Sequence, residues 1–167
     1  TDACGNEANA SQIVTVEDTT APSIVAPEAV TVECGDWTTP NRTGFATTDS
    51  DSCGDVALTF MDEVVSGCGA TSVITRTFTA TDACGNEANA SQIVTVEDTT
   101  APSIVAPEAV TVECGDWTTP NRTGFATTDS DSCGDVALTF MDEVVSGCGA
   151  TSVITRTFTA TDACGNE

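Results

Sequence analysis

The residues with chemistry to offer in this chain are its nine cysteines and its twenty-six carboxylates, in 167 residues that contain no histidine. In the first eighty positions the cysteines stand at 4, 34, 53 and 68. The two nearest, Cys53 and Cys68, are fifteen positions apart, so the paired Cys-x-x-Cys elements of zinc modules are absent. Four cysteines in so short a unit point to disulfides, and disulfides point to an extracellular or cell-surface, secreted setting. Four cysteines allow three pairings. Catalysis finds no support, because lysine and tyrosine are missing along with histidine and no nucleophile–base set can be assembled. The expectation is a protein that is not an enzyme.

Charge narrows the partners. The net charge is −22, and the only basic side chains are four arginines. Nucleic acids and anionic lipid surfaces need a basic footprint, so neither is an expected partner. No apolar stretch approaches eighteen residues, so no membrane insertion is expected. Cations suit the acids, and self-repulsion along a uniformly acidic chain favours a soluble, extended form.

The elements that must position these groups come in a repeat. Residues 1–80 recur unchanged as 81–160, and Thr161–Glu167 begins the unit again. Threonine and valine abound, glycine and proline punctuate, and no apolar period of 3.6 residues is sustained, so the chain reads as β throughout. Five segments follow in order. They are Ile24–Glu33, broken at Pro27 as suits an edge strand, Gly44–Thr48, Val56–Val64, Ser72–Asp82 and Glu87–Glu97. Inward positions are Val30 and Val32, then Val56, Leu58, Phe60 and Val64, then Ile74, Phe78 and Ala80, and last Ala88, Ala90, Val94 and Val96. Arg76 falls on the face of Ile74 and Phe78, where its guanidinium should pair with Asp62 or Glu63 while its stem packs. Trp37 reads as a packing residue near Cys34. The expected fold class is all-β, tandem Ig-like β-sandwich modules with two disulfides per 80-residue repeat. The expected domains are 1–18, the last loop and strand of a preceding module; 19–98, a complete module; and 99–167, a second module lacking its last strand.

Three stretches carry a resemblance. They are Ile74–Asn86, ending Asp82-Ala83-Cys84-Gly85-Asn86; Val96-Glu97-Asp98-Thr99-Thr100-Ala101-Pro102; and Val30-Thr31-Val32-Glu33-Cys34-Gly35. In these the chain resembles the hyalin-repeat (HYR-like) family of extracellular Ig-like modules found in large bacterial surface proteins and adhesins of the Bacteroidetes type. Many members carry two further cysteines where this chain has Ala26 and Ala90. The resemblance implies a structural or adhesive repeat of an extracellular filament or stalk, with a glycan- or protein-recognition module as the alternative.

Ig-like topology favours Cys34–Cys68 at one end of the module and Cys53–Cys84 at the other, with copies Cys114–Cys148 and Cys133–Cys164. Each would close a loop of about 30–35 residues, worth roughly 3–4 kcal/mol. Cys4 is left to a preceding module. The Cys53–Cys84 end also gathers Asp49, Asp51, Asp55, Asp82, Asn86 and Glu87, with Asp18 arriving from the linker. Hard oxygens from two loops and a linker suit Ca²⁺, which takes six to eight of them, and a bound cation would stiffen the joint. The competing use of such residues is turn formation. Asn9 and Asn41, with their copies Asn89 and Asn121, fit the N-glycosylation pattern. Thr19 and its copy Thr99 lie in Asp-Thr-Thr, similar to the O-glycosylation motif of secreted Bacteroidetes proteins. The expected partner is the protein itself: identical modules end to end, with strand donation between subunits if the chains are separate.

Overall fold

The run Ser72–Thr81 alternates Ile74, Arg76, Phe78 and Ala80 with β-branched residues, a pattern that fits a pleated surface with one buried face. The computed structural model describes residues 1–48, 51, 53–128 and 131–167, and it places this run, β5, inside a four-stranded sheet. Strand β4 (Ala57–Ser66) pairs antiparallel on one side and β6 (Glu87–Glu97) antiparallel on the other. Strand β2 (Val30–Glu33) lies parallel to the outer edge of β6. The short strands β1 (Ile24–Val25) and β3 (Thr47–Thr48) form a separate two-stranded ribbon, and one helical turn, α1 (Pro40–Thr43), lies between β2 and β3.

The buried face is that of Ile74, Arg76, Phe78 and Ala80 on β5 and of Gln92, Val94 and Val96 on β6. Val30 and Val32 pack against it from β2. Phe78, Ala80 and Val94 are fully enclosed. The other face of β5 and β6 carries a polar ladder in which Thr79 donates to Asn89 at 2.6 Å and Thr77 meets Ser91 at 3.3 Å. Polar side chains hold the covering segments against the buried face. Arg76 makes a bidentate pair with Asp62 (2.7 Å each) and donates to Thr43 Oγ1 and to the Thr38 carbonyl. Its neighbour Gln92 donates from Nε2 to the carbonyls of Glu28 (2.9 Å) and Thr43 (2.6 Å). These two side chains therefore tie the α1 connection to the sheet, through backbone carbonyls that would otherwise be stranded.

Several expectations change. Ile24–Glu33 is two strands in two different sheets, because the chain turns at Ala26–Ala29. Strand β4 is an edge, so Leu58, Phe60 and Val64 share the inner side but stay partly exposed, and Val56 precedes the strand. Phe60 is still engaged, with its ring 6.1 Å from that of Phe78 and 5.0 Å from the Arg76 guanidinium. Arg76 does pair with a carboxylate of the expected two, Asp62, but its guanidinium is buried rather than snorkelling. Trp37 does not pack: it is 73% exposed.

The second copy repeats the elements in part. Strands β7 (Ile104–Val105) and β8 (Thr127–Thr128) form the ribbon, α2 (Pro120–Thr123) is the helical turn, and β9 (Ala137–Ser146) pairs with β10 (Ser152–Thr161). Residues 110–113 form no strand, and the sheet stops at β10. Residues 8–17 also form no strand and are exposed throughout.

Candidate functional site at the junction between copies

The end of the first sheet and the start of the second copy meet over a short connection, Asp98–Pro102. Cys34 closes β2, with its N–H held by the Glu97 carbonyl at 2.8 Å. The turn Gly67–Thr71 joins β4 to β5 and carries Cys68 outward. Against both lies the Asp131–Gly134 loop of the second copy. The Ala70 N–H donates to the Cys133 carbonyl at 2.8 Å. Gly69, at φ 54°, lets that carbonyl approach where any Cβ would collide with it.

Two disulfides cross this junction: Cys34–Cys133, with Cα atoms 5.6 Å apart, and Cys68–Cys164, at 5.2 Å. The expected pairs Cys34–Cys68 and Cys133–Cys164 are not the ones formed. The physical reason is the connection: so short a linker brings the next copy's two cysteine loops to the end that holds Cys34 and Cys68, so all four meet. Pairing within a module assumed that each end is solvated. Cys133 is 2% exposed and belongs to the same hydrophobic cluster as Ile74, Val94 and Val96, so the second copy completes the first copy's core. The bonds span 99 and 96 residues, for which the chain-entropy model gives roughly 4–5 kcal/mol each.

The remaining cysteines Cys4, Cys53, Cys84, Cys114 and Cys148 are free and exposed. The pairs Cys53–Cys84 and Cys114–Cys148 are thus not formed either. Cys53 and Cys84 nevertheless share one end. Burial first, then the charges of Asp18 and Asp82, then Cys53 push the Cys84 thiol up.

The linker is tied to both copies. Glu33 accepts from the Thr99 N–H (2.7 Å), the Thr99 hydroxyl (3.0 Å) and the Thr100 hydroxyl (3.0 Å). The Thr99 backbone bond is the leading reason that the Glu33 carboxyl sits below its ordinary range. From the other side Asn166 donates to the Asp98 carbonyl at 3.2 Å, as Asn86 donates to that of Asp18 at 3.3 Å.

The acids proposed for calcium divide. Asp82 and Asn86 form a closed turn: Asp82 Oδ1 accepts from the N–H groups of Cys84 and Asn86, and Oδ2 accepts from the Asn86 amide. Burial works against the charge of Asp82, but these bonds together outweigh it and hold its carboxyl below the ordinary range. Glu87 is exposed and accepts from the Thr81 hydroxyl, and Asp55 is exposed. Asp49 lies outside the described residues. Asp18 and Asp51 do come together, with Cys53, within 4.8 Å, and Asp98, Asp131 and Cys133 repeat the arrangement at the junction. Among the described residues, Asp98 Oδ2 and Asp18 Oδ2 are buried atoms without a hydrogen-bond partner. Burial first, then Asp131, Asp162 and Glu33, push the Asp98 carboxyl up.

The glycosylation candidates Asn9, Asn41, Asn89, Asn121, Thr19 and Thr99 are all exposed. Two are already engaged: Asn89 accepts from Thr79, and the Thr99 hydroxyl is bound to Glu33. Gln92, Thr43 and Glu33 were missed as organising residues. A signal for Gln92 existed in its place on the apolar face of β6, opposite Arg76. No protein-family model matches the chain, and no match to a curated protein was found.

Among the described residues no helix is long and apolar enough to cross a membrane. What the geometry offers chemically is crosslinking and rigidity: a short linker pinned from both sides, two disulfides across the joint, and acids gathered beside them.

Proposed function

We propose that this chain is a structural or adhesive repeat of an extracellular filament or cell-surface stalk, built from HYR-like, Ig-like modules and without catalytic activity. The observation that carries the reading is the junction, where two disulfides and a linker bound on both sides join identical repeats in sequence. Disulfides at the joint suit secretion into an oxidising medium, and the excess of acids keeps such a rod extended. Small-angle scattering tests it. The oxidised chain should scatter as two copies held at one fixed relative orientation, and reduction should broaden the distribution of separations. An unchanged profile would remove the basis for a stapled rod.

Calcium belongs to the same proposal as a second stiffener, held by Asp98 and Asp131 with Asp18 and Asp51 as the equivalent set. The Asp98 oxygen that has no partner among the described residues supports it, together with the burial of its carboxyl beside Asp131, Asp162 and Glu33. Calcium should raise the melting temperature by several degrees and chelator should reverse it. No response would exclude the ion.

A recognition module is favoured by one observation, the exposure of Trp37 and Trp117 on both copies. Aromatic platforms of this kind suit sugar faces. If the double Trp→Ala variant binds a polysaccharide panel as the parent does, the recognition reading falls.

A further inference from the structure

Strand β4 leaves one long side of the first sheet open. It pairs with β5 over all ten of its residues, and among the described residues no strand or other backbone group pairs with its far side. Every residue of β4 is exposed. The strip is largely apolar, with Leu58, Phe60 and Val64 on the inner face and Met61 and Val65 on the outer one. The same edge stands open on β9, which pairs with β10 alone. Met61 and Met141 are 74% and 75% exposed, and Phe60 and Phe140 are 49% and 48% exposed. The edge therefore belongs to the repeat unit and does not depend on position along the chain.

An open edge of this kind fits one class of occupant. Water can satisfy its N–H and C=O groups singly, but another extended strand satisfies them in register and covers the side chains as well. Edges are commonly blunted by lysine, proline or a bulge. Strand β4 contains neither lysine nor proline, and its pairing with β5 runs through without a bulge. Its central charge, Asp62, is neutralised by Arg76. At about 3.3 Å per residue the strip is about 33 Å long.

We infer that β4 pairs antiparallel with the same edge of a second copy of this chain, and that β9 does so too, so that neighbouring chains associate side by side. The stapled joint links copies in series, and this contact is a different one. The choice of a second copy rests on register. Directly opposed residues of an antiparallel pair share a face, so odd positions must meet odd ones and even positions even ones. Two such registers keep nine residues paired, Leu58–Ser66 centred on Asp62 and Ala57–Val65 centred on Met61. The first sets Asp62 against its own copy. The second sets no like charges opposite each other: Leu58 meets Val64 of the second chain, Phe60 meets Asp62, Ala57 meets Val65, and the Thr59 hydroxyl donates to Glu63. The inner faces stay on one side, and two four-stranded sheets become one of eight strands. A specific interface buries about 1,200–2,000 Å² in all, and one such strip is narrow for that. Two strips on one chain reinforce each other, because the first contact holds the second at high effective concentration. The net charge of −22 opposes the contact, so salt should favour it by screening.

The test is sedimentation equilibrium of the oxidised 167-residue chain over a range of protein and salt concentrations. Species heavier than 17.0 kDa should grow with both. Hydrogen exchange should show protection that rises with protein concentration in Ala57–Ser66 and Ala137–Ser146, and no such rise in Ser72–Thr81, whose strand is already paired on both sides. The double variant Met61→Glu, Met141→Glu sets carboxylates face to face at the centre of the register. Both positions are exposed, so circular dichroism should be unchanged while association weakens at least tenfold. Trp37→Glu, Trp117→Glu adds the same charge away from the strip and should associate about as the parent does. A single species of 17.0 kDa at every concentration and salt, protection independent of concentration, or equal losses in the two variants overturns the inference. Peptide mapping keeps the two contacts apart. Recovery of Cys34–Cys133 from a chain that stays monomeric leaves the stapled joint standing and removes the lateral one. Its absence from a chain that associates removes the stapled joint and leaves the lateral one.

Discussion

Residues 30–33 and 110–113 have the same four side chains, Val-Thr-Val-Glu, and only the first set is a strand. The pairing partner makes the difference. Residues 30–33 run beside β6, and residues 110–113 have no such neighbour. The effect spreads inward. Ile74, Arg76 and Phe78 are buried, whereas Ile154, Arg156 and Phe158 are only partly so. Arg156 keeps its pair with Asp142 at 2.6 Å and its bond to Thr123, so local contacts between β9, β10 and α2 survive without the last strand. A β-branched sequence therefore supplies the capacity for a strand, and a neighbouring backbone decides whether it becomes one.

The largest expected effect bears on the joint that only the first copy has. The double variant Cys133→Ser, Cys164→Ser removes both crossing disulfides and should cost about 4–5 kcal/mol per bond in the chain-entropy model, read by denaturant unfolding. The matching change at Cys53 and Cys84 should cost little in the isolated chain, since both are free. Equal losses would break the comparison.

Next come the paired core positions. Phe78→Ala should cost about 3–5 kcal/mol, and Phe158→Ala distinctly less, because cavity cost scales with enclosure. Asp62→Ala leaves a buried guanidinium unpaired, for which about 3–5 kcal/mol is usual. Asp142→Ala should cost less, since the Arg156 side chain is more exposed than that of Arg76. Chemical denaturation of the four variants, each resolved by its own copy's unfolding, ranks them.

A smaller effect separates Gly69→Ala from Gly149→Ala. Both positions have positive φ, so both pay the left-handed backbone cost of about 1–2 kcal/mol. Only Gly69→Ala must also displace the Cys133 carbonyl, so only that variant should loosen the junction. Hydrogen exchange at the Ala70 amide would register the difference.

The smallest effect is in pH. An Asp98 pKa raised above its ordinary 3.8 means that the folded state holds this proton more tightly than the unfolded chain. Its contribution is therefore most favourable below 3.8 and is lost as pH rises through the folded value. Glu33, Asp82, Asp142 and Asp162 run the other way: their lowered values stabilise above the ordinary range and that stability is lost as pH falls through the folded values. Asp98→Asn should accordingly raise the melting temperature slightly at pH 7 and have no effect once Asp98 is protonated. An equal gain at both ends of the scale would contradict the assignment.

Much of this was legible in the residues. The alternation of Ser72–Thr81 and Glu87–Glu97 located β5 and β6 with their inner faces, because a period of two leaves only one way to bury Ile74, Phe78 and Val94 together. The expectation that Cys53 and Cys84 share one end came with the assumed Ig-like topology, and Asp18 lies beside both. The partners of Cys34 and Cys68 did not follow, because the nearest thiols across a five-residue linker belong to another copy. Trp37 was misplaced for a related reason: proximity in sequence to Cys34 says nothing about which loops reach it.

The sequence by itself determined the β character, the repeat, the acidic charge and the presence of enough cysteines to staple each unit. These depend on side-chain types and local periodicity, which are properties of a segment alone. The tertiary structure decided which cysteines meet and which of two identical segments is a strand. Both outcomes depend on what lies within a few ångströms in space, and identical sequences at positions 30 and 110 do not share their neighbours.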